Sequence, residues 1–175
     1  MDFYEASLPH LEELVKVTQQ PVHLVIHDNG KALYINKVEN PGAVISQPSQ
    51  IGVRLPMHCT AVGKVLLSGM TTEKVADILA KEGLAKITAN TISQPADLHR
   101  ALEEIREKGY ALDDEEIQVG LRCIAAPIKD FNNKIVAAIS ISGLTAIFTK
   151  DLLPFYVKEI KGAAARISVE LGYGA

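Results

Sequence analysis

The stretch GLRCIAAPIKDFNNKIVAAISISG, Gly120 to Gly143, decides how this chain folds. Its side chains repeat with a period of two, the mark of extended backbone, and the two halves flank the triplet Phe131-Asn132-Asn133. With Asn132 and Asn133 as a two-residue turn, Phe131 faces Lys134, Cys123 lies opposite Ser142, and Ala125 lies opposite Ser140. One sheet face then carries Leu121, Cys123, Ala125, Val136, Ala138, Ser140 and Ser142. The other carries Ile124, Ile139 and Ile141. Branched residues of that second kind fill a packed core. Small side chains on a central sheet leave room for a covering helix or a ligand, and buried hydroxyls need partners, which favours a ligand.

Working outward, PVHLVIHDNGKALYINKVE (Pro21–Glu39) alternates again around Asp28-Asn29-Gly30, residues suited to a tight hairpin turn. Outside the hairpins the period lengthens. SLPHLEELVKVTQQ reads as a helix beginning at Ser7, with Leu8, Leu11, Leu14, Val15 and Thr18 at helical spacing. TTEKVADILAKEG is an N-capped helix closed by Gly83, and QPADLHRALEEIREKG puts Leu98, Leu102 and Ile105 on one face before Gly109. TKDLLPFYVKEIKGAAARISVELG aligns Val157, Ile160, Ala164, Ile167 and Leu171, with Thr149 as its N-cap and Pro154 in its first turns. NPGAVISQPSQIG (residues 40–52) is punctuated as a loop. The order helix, hairpin, helices, hairpin, helix predicts one α+β domain spanning residues 1–175, an antiparallel sheet flanked by helices.

Composition narrows the function. Eighteen basic residues against twenty-one acidic ones give a net charge of −3, and no basic run offers a nucleic-acid surface. Two cysteines without a disulfide spacing, no signal segment and no long apolar run predict a cytoplasmic protein that engages no membrane.

A second stretch, LPMHCTAVGKVLLSG (Leu55–Gly69), allows three readings. A phosphate loop requires glycine where His58 stands and a hydroxyl residue where Val65 stands, so it fails at both anchors. A metal or thiol site would rest on His58, Cys59 and distant Cys123, without the paired spacing that zinc ligands show. In the third reading Thr60 caps a helix and leaves the amides of Ala61, Val62 and Gly63 open to an anion; the alternative is an ordinary capped helix packed on a neighbour. The acidic run Asp113 to Glu116 reads as a solvated loop, without a partner for acid–base catalysis. His10, His23, His27 and His99 fall on expected surface positions. No cofactor is called for.

LPMHCTAVGKVLLSG, EIREKGYALDDEEIQVGLRCIAAPIKD and AAISISG, in this order, resemble the C-terminal effector-binding domain of IclR-type bacterial transcriptional regulators, from Met1 to Tyr173. The resemblance implies a GAF-like curved sheet around one small-molecule cavity and a homodimer or tetramer. The effector would be a small organic acid: a keto, sugar or aromatic acid. DNA would be read only by an N-terminal winged helix-turn-helix outside these residues. Motif positions carry over as ligand contacts at Ala61, Val62, Asp113, Leu121, Cys123, Ser140 and Ser142, and more weakly at Val44 and Gln47. The ligand carboxylate would meet the amides of Ala61 to Gly63, with Ser140 and Ser142 donating and Asp113 accepting from a ligand hydroxyl. The rival is a thiol- or metal-dependent sensor or enzyme on the same scaffold, using Cys59 or Cys123.

Overall fold

A computed structural model describes residues 2–40 and 50–174. Val44 and Gln47 lie outside the described residues. Strands β1 (Val22–Asp28), β2 (Lys31–Val38), β3 (Arg54–Pro56), β4 (Ala111–Asp114), β5 (Leu121–Lys129) and β6 (Ile135–Leu144) form one sheet in the order β3-β2-β1-β6-β5-β4. Every pairing is antiparallel. Both hairpins therefore sit side by side, joined by β1 against β6.

Helices cover both faces. α1 (Phe3–Thr18) and α5 (Leu153–Glu170) bury Leu24, Ile124, Ile128, Ile139 and Ile141 on one side. On the other, α2 (Ala61–Ser68) lies over Val25, Ala125 and Ala138, backed by α3 (Thr72–Glu82) and α4 (Pro95–Lys108). All eight residues of α2 are buried, which explains why its sequence is apolar nearly all round. The α+β architecture expected from the periodicities is the one observed.

Three local expectations are corrected. α1 begins at Phe3 rather than Ser7, because Asp2 caps it by accepting the Tyr4 amide at 3.1 Å, and Pro9 falls inside the helix. The second hairpin does not turn on two residues. Asp130 accepts the amides of Asn132 and Lys134, and Lys129 pairs with Ile135. Ile128 pairs with Ala137, so Val136 is an extra bulged residue that packs on the α1/α5 face, not on the small-residue face. The bulge offsets the longer turn, and beyond it the expected partners meet: Cys123 with Ser142, Ala125 with Ser140.

The acidic run is the third correction, since it is no solvated loop. Asp113 and Glu116 are buried, Asp114 pairs with Arg122 at 2.8 Å, and the Glu115 carboxylate accepts the Gly120 amide at 2.7 Å.

Candidate functional site

The small-residue face meets the start of α2 across a cavity of about 230 Å³. Cys123 and Leu121 reach it from β5, Ser140 and Ser142 from β6, and Asp113 from β4. Ala61 and Val62 close it at the helix start. Seven of the residues singled out in the sequence thus converge on one space.

Gly63 does not. A β-carbon there would overlap the Met57 backbone, so this glycine permits the close crossing of α2 over the preceding segment. Its amide donates to the Thr60 hydroxyl at 3.2 Å, which in turn donates to the Pro56 carbonyl at 2.8 Å. The Lys64 amide bonds to the Thr60 carbonyl. Of the three amides Gly63's is engaged, which leaves those of Ala61 and Val62 as the ones to which helix position gives no intrahelical acceptor.

Inside the cavity one polar atom has no partner and the two serines have only modest ones. Ser142 donates to the Cys123 sulfur at 3.1 Å, a weak acceptor, and Ser140 lies 3.3 Å from His23 Nδ1. Asp113 Oδ1 accepts the Glu116 amide at 2.7 Å, while Oδ2 is buried with no hydrogen-bond partner. Burial raises the Asp113 carboxyl to about 7. A buried acceptor left unpaired costs stability and calls for a donor.

Next to the cavity, α2 carries its single lysine inward. Lys64 Nζ donates to both oxygens of Glu116 at 2.7 and 2.9 Å and to the Leu112 carbonyl at 2.6 Å. This pair ties α2 to the loop after β4. Thr88 and Thr91 hold the same loop from outside, their hydroxyls donating to the Glu115 and Glu116 carbonyls at 2.6 Å each.

The chain matches the family described as "Bacterial transcriptional regulator IclR C-terminal" over residues 1–169. It belongs to the IclR family. It is the effector-binding domain of a bacterial transcriptional regulator. This IclR domain is 35% identical to the transcriptional regulator XynR of Escherichia coli strain K12, over 100% of the chain and 69% of XynR. With the crystal structure of the C-terminal domain of E. coli KdgR it shares 35% identity and a TM-score of 0.88, covering 99% of this chain and 100% of that one. Full-length E. coli KdgR is spanned over 65% of its length. The inducer-binding domain of Acinetobacter PobR, a double mutant solved with 3-hydroxybenzoic acid, has the same fold at a TM-score of 0.85 and 24% identity, covering 94% and 96% of the two chains.

In this IclR domain the thiol and metal alternatives find no support. Both cysteines are buried. Burial pushes the Cys59 thiol up to about 12 and raises Cys123 further, which suppresses the reactive thiolate. His58, the other suggested ligand, instead sits 2.9 Å from the Ala85 carbonyl. Among the described residues no group of three His, Cys, Asp or Glu could hold a metal ion.

Residues that the sequence reading passed over complete the cavity: Tyr34 and Leu55 from the first hairpin and its neighbour, Ile117 and Gln118 from the loop after β4. Tyr34 had a signal, since Ala32, Tyr34 and Asn36 alternate as the buried set of β2. His23 is a further correction. It is buried rather than exposed, stacks edge-on against Tyr34 at 5.4 Å, and burial lowers it to about 3, so the ring is neutral. Its odd place in the alternation, beside Val25, was the available sign.

Proposed function

We propose that this domain senses a small organic acid, a keto, sugar or aromatic monocarboxylate, in the cavity between α2 and the sheet. The observation that carries the reading is the unpartnered, buried Asp113 Oδ2 facing a cavity that also holds two serine hydroxyls and an open helix start. A carboxylate fits the amides of Ala61 and Val62, where the helix dipole favours negative charge. Ser142 can donate to it in place of a weak bond to the Cys123 sulfur, and Ser140 in place of a long 3.3 Å contact with His23 Nδ1. Asp113 Oδ2 remains for a hydroxyl of the ligand or for the second oxygen of the same carboxylate. Leu121, Cys123 and Ile117 shape the apolar side. At about 230 Å³ the space suits a metabolite rather than a larger ligand.

The domain acts by binding and catalyses no reaction. Occupancy favours one arrangement of the loop after β4, which Lys64, Thr88 and Thr91 already brace, and the change passes to a homodimer or tetramer. Contact with DNA falls to an N-terminal winged helix-turn-helix outside these residues, and the regulator works in the cytoplasm. The PobR domain solved with 3-hydroxybenzoic acid supports an acid as the ligand class.

Replacing both Ser140 and Ser142 with alanine tests the assignment. Affinity for the acid that binds the unmodified chain is expected to fall by roughly tenfold or more, the effect of losing one to two hydrogen bonds to a charge. Unchanged affinity by isothermal titration would show that the acid does not sit there.

A further inference from the structure

We propose that the cavity takes a monocarboxylate together with one proton, and that Asp113 holds this proton against the ligand's carboxylate. The proposal rests on the small-acid reading above and adds which acids bind and what they bring.

The walls of the cavity carry one carboxyl group and, among the described residues, no lysine or arginine. The nearest ammonium is already committed. All three Lys64 donors go to the two Glu116 oxygens and the Leu112 carbonyl. The other titratable groups that bear on Asp113 supply no positive charge either. Glu116 adds a like charge from the loop. Tyr34 on β2, Cys59 before α2 and Cys123 on β5 are all held protonated by burial. His23, behind Ser140 on β1, is neutral.

An entering carboxylate would therefore stand beside Asp113 with no counterion. Two carboxylates sharing a dry site do not both stay ionised; one takes a proton and donates it to the other. Asp113 has the geometry for this. Oδ1 is fixed by the Glu116 amide and the Ile117 amide also bears on the carboxylate, while Oδ2 makes no hydrogen bond of good geometry. Protonated, Oδ2 becomes a donor and pairs with the ligand's carboxylate, so the orphaned atom and the uncompensated charge are resolved by one bond. The raised carboxyl of the free protein makes the proton available near neutral pH. A dicarboxylate brings a second charge that nothing in the cavity can neutralise, so the site discriminates against it.

Titration calorimetry of the unmodified chain tests this with pyruvate, gluconate and 3-hydroxybenzoate as probes. Each is run in phosphate and in Tris, whose ionisation heats differ and so report protons taken up. Near pH 8 the expected uptake approaches one proton per ligand, falling toward zero near pH 5.5, where Asp113 is already protonated. Affinity should drop toward tenfold per pH unit above about 7. Asp113→Asn should abolish the uptake and flatten the profile. Glucarate should bind at least tenfold more weakly than gluconate, and oxaloacetate than pyruvate. Binding without proton uptake near pH 8 would overturn the proposal while leaving the small-acid reading intact, with Asp113 then ionised and accepting from a ligand hydroxyl. Uptake that persists in Asp113→Asn, or equal affinity for the dicarboxylates, would also overturn it. Binding by none of the three probes would overturn the small-acid reading itself and the proposal with it.

Discussion

The two faces of one sheet differ sharply in what they bury. Toward α1 and α5, β5 and β6 present Ile124, Ile128, Ile139 and Ile141, closed over by Phe148, Ile160 and Ile167. Toward α2 the same strands present Cys123, Ala125, Ala138, Ser140 and Ser142, with His23 and Asp113 from their neighbours. Both faces are buried, so solvent does not explain the contrast. The first face is optimised for close packing; the second accepts small side chains, a void and a carboxyl oxygen with no partner. That combination costs stability and is retained where a site needs it.

The contrast can be broken most severely at the ion pair that closes the second face. Lys64→Met leaves Glu116 buried without its cation and should cost about 3–5 kcal/mol in urea denaturation. Adding Glu116→Leu should recover most of that loss, since an apolar pair substitutes for a buried salt bridge at little net cost. On the packed face, Ile139→Ala removes a fully buried branched side chain and should cost about 2–4 kcal/mol, with an unchanged denaturant slope.

Asp113 gives a smaller effect with a sign. Its carboxyl is raised in the folded chain to about 7, above its unfolded value. The folded state therefore binds the proton more tightly, and stability falls as pH rises from about 4 through about 7. The loss should be on the order of 1–3 kcal/mol, and Asp113→Asn should remove it, leaving a flatter pH profile of unfolding. The smallest effect is expected at Ser142→Ala, which gives up only a weak bond to the Cys123 sulfur. A change below about 1 kcal/mol there, against several at Ile139, would set the two faces apart by measurement.

How much of this was legible in the sequence follows from the range of each interaction. Period-two and helical spacing depend on neighbours, and they placed both hairpins and the main helices. Pairing of Cys123 with Ser142 was also legible, though through a turn that proved longer and a bulge at Val136 that offset it. Asp113 entered the candidate site only through the family resemblance, because an acidic run looks solvated until Lys64 is brought to Glu116 from 52 residues away. His23 and Tyr34 were missed for the same reason. Their burial depends on β1 pairing with β6, a contact between hairpins more than a hundred residues apart that no local pattern encodes. Gly63 was read as an anion contact from its place at the helix start, whereas its role is set by the Met57 backbone crossing beneath it.

We propose that the second face holds a small acid. Thermal unfolding of the chain, measured against a panel of keto, sugar and aromatic monocarboxylates, tests it most directly. A ligand at about 100 times its Kd adds about 2.7 kcal/mol to the folded state, which corresponds to a rise of roughly 5–10 °C for a domain of this size. At least one acid is expected to produce such a saturable rise, and the chain with both Ser140→Ala and Ser142→Ala to give little or none. No shift in Tm with any acid of the panel at about 10 mM, or a full response from the doubly substituted chain, would mean that the second face holds no such ligand.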